Sequence, residues 1–174
     1  MSADNQQERL KMTGWITGFI DGEGCFSVSV FRNKTSKLGW QIFPEFAVTQ
    51  GGKSLSSLNL LKNYFECGKV FINRRHDNHK ENIYRYCVRS LKDLDSIIIP
   101  FFIKNPLRTS KAKDFDHFVE AIKAIKSGEH LLFHGLKRIA SIASKMNRKK
   151  SSAFLESPET IRQTSMRNAQ LKKI

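Results

Sequence analysis

Apolar residues recur at helical spacing from about Leu10 to Ile20, and the pattern stops at Asp21-Gly22-Glu23-Gly24, where two glycines permit the left-handed conformation that closes a helix. The period then switches to two. Over Cys25–Phe31 one face carries Phe26, Val28 and Val30 while Ser27 and Ser29 point the other way, which predicts a half-buried strand. A polar, basic loop spans 32–39. A second strand is expected over about Trp40–Thr49, with Ile42, Phe46 and Val48 inward, Gln41 and Glu45 outward, and Pro44 marking a bulge or an edge.

Gly51-Gly52 interrupts the chain, and Leu55, Leu58, Leu61 and Phe65 then repeat as one face of a helix over 54–65, ended by Cys67-Gly68. Two further strands are expected at 69–74 and 83–89. A short helix carrying Leu91, Leu94 and Ile98 should stop at Pro100. Longer helices follow over 110–126 and 130–146, the latter with Leu132, Ile139, Ile142, Ala143 and Met146 inward. An αββ unit thus occurs twice, over 10–50 and 54–90. The pattern predicts an α+β fold, αββαββα with additional C-terminal helices: one four-stranded antiparallel sheet, helices on one face, the other face free and polar. Residues 1–9 read as a flexible N-terminus, 10–147 as a single domain and 148–174 as a basic C-terminal arm.

Composition narrows the function. Thirty Lys and Arg against sixteen Asp and Glu leave a formal charge of +14, which puts polyanions first among partners. A hydrophobic content of 40% with thirteen Phe excludes a wholly disordered basic tail. The longest apolar run, Ile97–Ile103, is too short to span a bilayer, so no membrane partner is expected. The polar, acid-containing N-terminus carries no secretion or transit signal. Three cysteines without a Cys-x-x-Cys pair read as reduced thiols of an intracellular protein, in a prokaryotic cytoplasm or in an organelle encoding its own copy. His130 and His134 stand at half-zinc-site spacing, but Leu131 occupies the position of the required Glu and no partner ligand is evident.

The segment Ile16–Gly24 concentrates the chemistry. It places two carboxylates at the C-terminal, negative end of a helix, where each is unfavourable by a few tenths to about one kcal/mol. Something positive should compensate: a buried Arg, or a hard divalent cation held by carboxylate and carbonyl oxygens. Read alone, Asp-Gly-Glu-Gly is also an ordinary turn between a helix and a strand. Gly14 and Gly18, four residues apart, would let another backbone approach closely.

Ile16-Thr17-Gly18-Phe19-Ile20-Asp21-Gly22-Glu23-Gly24 resembles the motif of the LAGLIDADG homing endonucleases, with Glu23 in place of the second Asp. Cys25-Phe26, Phe46–Gln50, Pro106–Lys111 and Glu129–Leu131 are similar to further landmarks of that family, in the expected order over residues 10–147. The resemblance implies a saddle-shaped sheet and a homodimer joined through the motif helices, with Gly14, Gly18 and Asp21 at the interface. It implies Mg²⁺ held by Glu23 and the Gly22 carbonyl, with Mn²⁺ or Ca²⁺ able to substitute for binding. Gln50 would orient the attacking water, Lys111 would stabilise charge at the scissile phosphate, and Lys53 is a weaker candidate for the same role.

On this reading the free sheet face enters the major groove. Strand parity offers Ser27, Ser29, Phe31, Asn33, Gln41, Phe43, Glu45, Ala47, Phe71, Asn73, Arg75, Arg85 and Cys87; the three Phe either touch thymine methyls or belong to the core. The loop cations Arg32, Lys34, Lys37, Arg74 and Lys80 would hold phosphates. Strands of about nine residues match about nine base pairs, so a dimer would read a pseudo-palindrome of about 20 base pairs. The implied activity is an intron-encoded, site-specific double-strand DNA endonuclease, a hydrolase leaving short 3′ overhangs. The alternatives are an RNA-binding intron maturase on the same fold, with intron RNA as partner, and a non-enzymatic basic nucleic-acid-binding protein.

Overall fold

The structure is a computed structural model that describes residues 3–73, 82–147, 153–157 and 160. Its elements are α1 (Ala3–Glu23), β1 (Gly24–Arg32), β2 (Trp40–Gly51), a 3₁₀ turn (Gly52–Ser54), α2 (Leu55–Phe65), β3 (Lys69–Asn73), β4 (Ile83–Val88), α3 (Leu91–Asp93), a π turn (Leu94–Ile98), α4 (Ile99–Lys104), α5 (Lys111–Lys126), a second 3₁₀ turn (Glu129–Leu131) and α6 (Phe133–Ser144). The strands form one sheet in the order β1-β2-β4-β3, with β4 antiparallel to both of its neighbours. The expected α+β class and the αββαββα order are therefore present. Among the described residues no helix is long and apolar enough to cross a membrane.

Contacts divide the chain into two compact units, 1–26 with 45–115, and 27–44 with 116–174. The first is organised by aromatic rings. Phe26 stacks on Phe46 at 5.0 Å, Phe102 and Phe115 meet Phe26 edge-on at 5.4 and 5.1 Å, and Phe46 also touches Phe65 and Tyr86. Offset and edge-on pairs suit ring quadrupoles and each adds about 0.5–1.5 kcal/mol beyond area burial. In the second unit Val30, Trp40, Leu136, Ala140 and Phe154 form a separate core, so the described part of the C-terminal segment is packed rather than free.

Several local expectations are corrected. The first helix begins at Ala3, not Leu10, and runs on through Glu23. Neither Gly22 nor Gly24 takes a positive φ. Gly24 is required instead by close approach, since a Cβ there would lie 2.6 Å from Ile20 Cγ2 and 2.8 Å from the Ile20 carbonyl. The left-handed residues at the end of α2 are Glu66 and Gly68. Pro100 does not stop its helix. The Ile99 N–H donates to the Leu94 carbonyl five residues back, and this widened turn accommodates a residue with no N–H in the first turn of α4. Leu132, expected inward, is exposed, because it flanks α6 in an extended conformation outside the helical repeat.

Candidate nucleic-acid cleavage site

The C-terminal end of α1 is built against the segment that leads into α5. The Asp21 carboxylate accepts from the N–H of Arg108 at 2.9 Å, the N–H of Thr109 at 3.2 Å and the Thr109 hydroxyl at 2.7 Å. Two stretches 87 residues apart in sequence are thereby fixed to one another. Burial acts to raise the Asp21 carboxyl, but the Thr109 hydroxyl, the two N–H groups and the Lys111 charge outweigh it and hold the group below its ordinary value of 3.8. A carboxyl lowered on folding contributes stability above its unfolded value, and that stability is lost as pH falls through the lower folded value. Asp21→Asn should therefore flatten the acid limb of stability below about pH 4, as read by denaturant midpoints across pH. A limb identical to the wild type's would contradict this.

Lys111 supplies the positive charge that the helix end calls for. Its Nζ donates to the carbonyls of Ile20 at 3.0 Å and Gly22 at 3.1 Å, meeting both the unpaired carbonyls and the negative pole of α1. The compensating group is thus a lysine rather than the buried Arg the sequence allowed. Burial lowers the Lys111 pKa despite the opposing charges of Asp21, Glu23 and Asp114. Glu23, the last residue of α1, is exposed. Cys25 follows one residue into β1; burial pushes its thiol up and keeps it neutral.

The oxygen acceptors at this helix end include the Glu23 carboxylate and the carbonyls of Ile20 and Gly22. That donor set suits a hard divalent cation, and the two carbonyls already converge on the Lys111 ammonium. A carbonyl has a second lone pair, so Gly22 can accept from Lys111 and still face another cation. Among the described residues no group of three or more His, Cys, Asp or Glu gathers within one chain.

Gln50 is half-buried near the end of β2, opposite Tyr84, and Lys53 is exposed in the following 3₁₀ turn. A Cβ added at Gly14, Gly18 or Gly22 of α1 would meet nothing within 4 Å among the described residues, and Trp15 stacks on Phe19 at 5.0 Å while remaining 40% exposed.

The expected reading residues divide by unit. In the second unit Ser29, Phe31, Arg32, Lys34, Lys37 and Gln41 are exposed, and Ser27, Asn33 and Phe43 are half-buried. Asn33 Nδ2 donates to Gln41 Oε1 at 2.6 Å, Phe31 lies 6.2 Å from Phe43, and the Arg32 guanidinium sits 4.7 Å from the Trp40 ring centre. In the first unit Phe71 is exposed and Arg85 half-buried. Phe31 and Phe71 are therefore exposed rather than core, and Phe43 is half-buried beside Phe31.

Glu45, Ala47 and Cys87 are corrections: all three are buried, at 5%, 2% and 3% exposure. Their strand parity is as expected. The register sets Ala47 against Cys87, with Thr49 against Arg85 on one side and Glu45 toward Arg89 on the other. The Arg85 side chain donates through Nη2 to Glu45 Oε1, two same-face positions along the sheet. Cys87 is accordingly a buried thiol, its pKa pushed up to about 11. The side chain of Asn73, and Arg74, Arg75 and Lys80, lie outside the described residues, as does most of the basic arm. Sequence reasoning missed Thr109 and Arg89. Thr109 was within reach, because it lies inside the Pro106–Lys111 landmark; Arg89 carries no local signal.

Residues 16–122 match the profile of the family described as LAGLIDADG endonuclease. The protein named probable intron-encoded endonuclease 3 of Neurospora crassa is 38% identical over 141 residues, covering 79% of this chain and 25% of that protein. The crystal structure of the homing endonuclease I-TnaI superposes with a TM-score of 0.74 at 36% identity, covering 86% of this chain and 97% of that one. The meganuclease I-SmaMI bound to uncleaveable DNA gives 0.73 at 33% identity, covering 81% and 46%. I-SmaMI has also been solved on uncleaved target DNA in the presence of calcium ions. This chain spans about a quarter of the curated relative and less than half of I-SmaMI.

Proposed function

The chain belongs to the LAGLIDADG endonuclease family, and from that premise we propose that it is an intron-encoded, site-specific endonuclease that cuts both strands of duplex DNA as a homodimer with Mg²⁺. The observation that carries this reading is the end of α1, where an exposed carboxylate, Glu23, stands beside a half-buried ammonium, Lys111, that is anchored to the same helix turn. Endonucleases of the family are metal-dependent.

The glycines of α1 support the dimer. Gly14 and Gly18, in the interior of α1, each cost the helix about 0.8–1.0 kcal/mol relative to Ala. Among the described residues the space their missing Cβ atoms would fill is open. The cost is offset when a second copy of α1 packs against the glycine face, with Asp21 holding the junction behind it. The two Glu23 carboxylates then approach, and a bound divalent cation would offset the repulsion of their like charges. When bound, a divalent ion supplies Lewis-acid charge that lowers the pKa of water and neutralises phosphoryl oxygens. Glu23 and the Gly22 carbonyl hold it, Gln50 orients the attacking water, and Lys111 stabilises charge developing on the phosphate, with Lys53 as its weaker alternate. Outward residues of β1, β2, β3 and β4 face the major groove, and Arg32, Lys34 and Lys37 hold phosphates.

Selection of bound duplexes from a randomised pool, followed by sedimentation of the complex, tests the assembly. The expected result is one near-palindromic sequence of about 20 base pairs carrying two protein chains, with Gly18→Leu reducing the stoichiometry to one chain per duplex. A single chain on an asymmetric site, or dimers unaffected by Gly18→Leu, would sink it.

A further inference from the structure

The outer face of β3, β4 and β2 carries a fixed belt of side chains. Glu45 Oε1 accepts from Arg85 Nη2, and Glu45 Oε2 accepts from Arg89 Nε at 2.6 Å. The Arg89 guanidinium lies 5.4 Å from the Phe71 ring centre. The Glu45 side chain is 7% exposed, against 36% for Arg85 and 45% for Arg89. One buried carboxylate therefore orients two arginines.

A surface built only to attract phosphates gains nothing from a carboxylate placed among its cations. Phosphate contacts give affinity and need no fixed guanidinium orientation, whereas base contacts demand it. Arginine meets the N7 and O6 acceptors of guanine with a rigid fork, and holding that fork before binding reduces the ordering cost. The two arginines differ. Arg85 reaches along the sheet to Glu45, and its Nε is buried without a hydrogen-bond partner among the described residues. Arg89 is tied at Nε, backed by an aromatic ring, and the more exposed of the pair.

We propose that Arg89 reads one guanine in each half-site, with Glu45 and Arg85 as the residues that position it. This rests on the endonuclease reading of the sheet face. It also changes the expected part of Glu45, from a base contact to a support.

The test is selection of bound duplexes from a randomised pool in Ca²⁺ by the wild-type protein, Arg89→Ala and Glu45→Gln, with thermal melting to confirm that each is folded. The wild type should enrich a guanine at one fixed position per half-site. Arg89→Ala should lose roughly tenfold to hundredfold discrimination at that position alone. Glu45→Gln should weaken the same position with Arg89 still present, which a purely structural role would not do. Uniform weakening across positions with a smaller salt dependence would make Arg89 a phosphate contact and overturn the proposal. So would a guanine preference that survives Arg89→Ala. A folded wild type that enriches no sequence would overturn the endonuclease reading itself. Should Glu45→Gln fail to fold, the exposed Arg89→Ala still decides the matter.

Discussion

Glu23→Gln should reduce strand cleavage by about a thousandfold or more, since several kcal/mol of transition-state charge stabilisation pass through the group it removes. Duplex affinity should hold or rise slightly, because one negative charge near the phosphates disappears. The fold is not at stake: Glu23 is exposed, ends α1, and Gln preserves its shape. Cleavage rates in Mg²⁺ measured beside binding in Ca²⁺ separate the two effects. Wild-type cutting by Glu23→Gln would remove the residue from the reaction.

Lys111→Met should lower the cleavage rate by about a hundredfold to a thousandfold, the range seen when one group that stabilises transition-state charge is removed. Lys111 also donates to the carbonyls of Ile20 and Gly22, so a loss of activity could come from a loosened helix end. Two measurements distinguish these origins. Melting reports the loosening, and single-turnover kinetics split the rate of the bound complex from its affinity. A catalytic Lys111 lowers the bound rate with little change in affinity. If Lys111→Met melts early yet cuts at the wild-type bound rate, the lysine is only a clasp for α1.

Part of this helix end was legible in residue types, and part only through the family resemblance. Carboxylates at the negative end of a helix demanded a cation, and Lys111 meets that demand from a segment the Pro106–Lys111 landmark had already marked. Strand parity assigned Phe26 and Val30 inward and Ser29 and Phe31 outward, as they stand. What escaped sequence reasoning depended on long-range partners. Alternation placed Glu45, Ala47 and Cys87 on the outer face correctly. It could not show that Arg85, forty residues beyond Glu45, reaches over to that carboxylate, nor that all three residues are buried. Asp21 could be placed at the helix junction, but its three donors come from 108–109 and only tertiary structure brings them there.

The helix boundaries failed for local reasons. Gly22 and Gly24 carry the residue type of a left-handed stop, yet Gly24 is needed for the closeness of Ile20, a requirement visible only when helix and strand are set together. Pro100 carries the signal of a helix end, but the π turn at Leu94–Ile98 makes room for it. Neither accommodation leaves a trace in hydrophobic periodicity.

The most direct test of the central claim, metal-dependent cutting of a specific duplex at Glu23, is cleavage of a randomised duplex library slightly longer than the roughly 20-base-pair footprint, with and without Mg²⁺, beside Glu23→Gln. The account predicts double-strand cuts clustered on one near-palindromic sequence, dependent on Mg²⁺ and absent with Glu23→Gln. Tight binding to the library without cutting in either Mg²⁺ or Mn²⁺ would contradict it, and would leave Glu23 as the end of a helix on a nucleic-acid-binding protein.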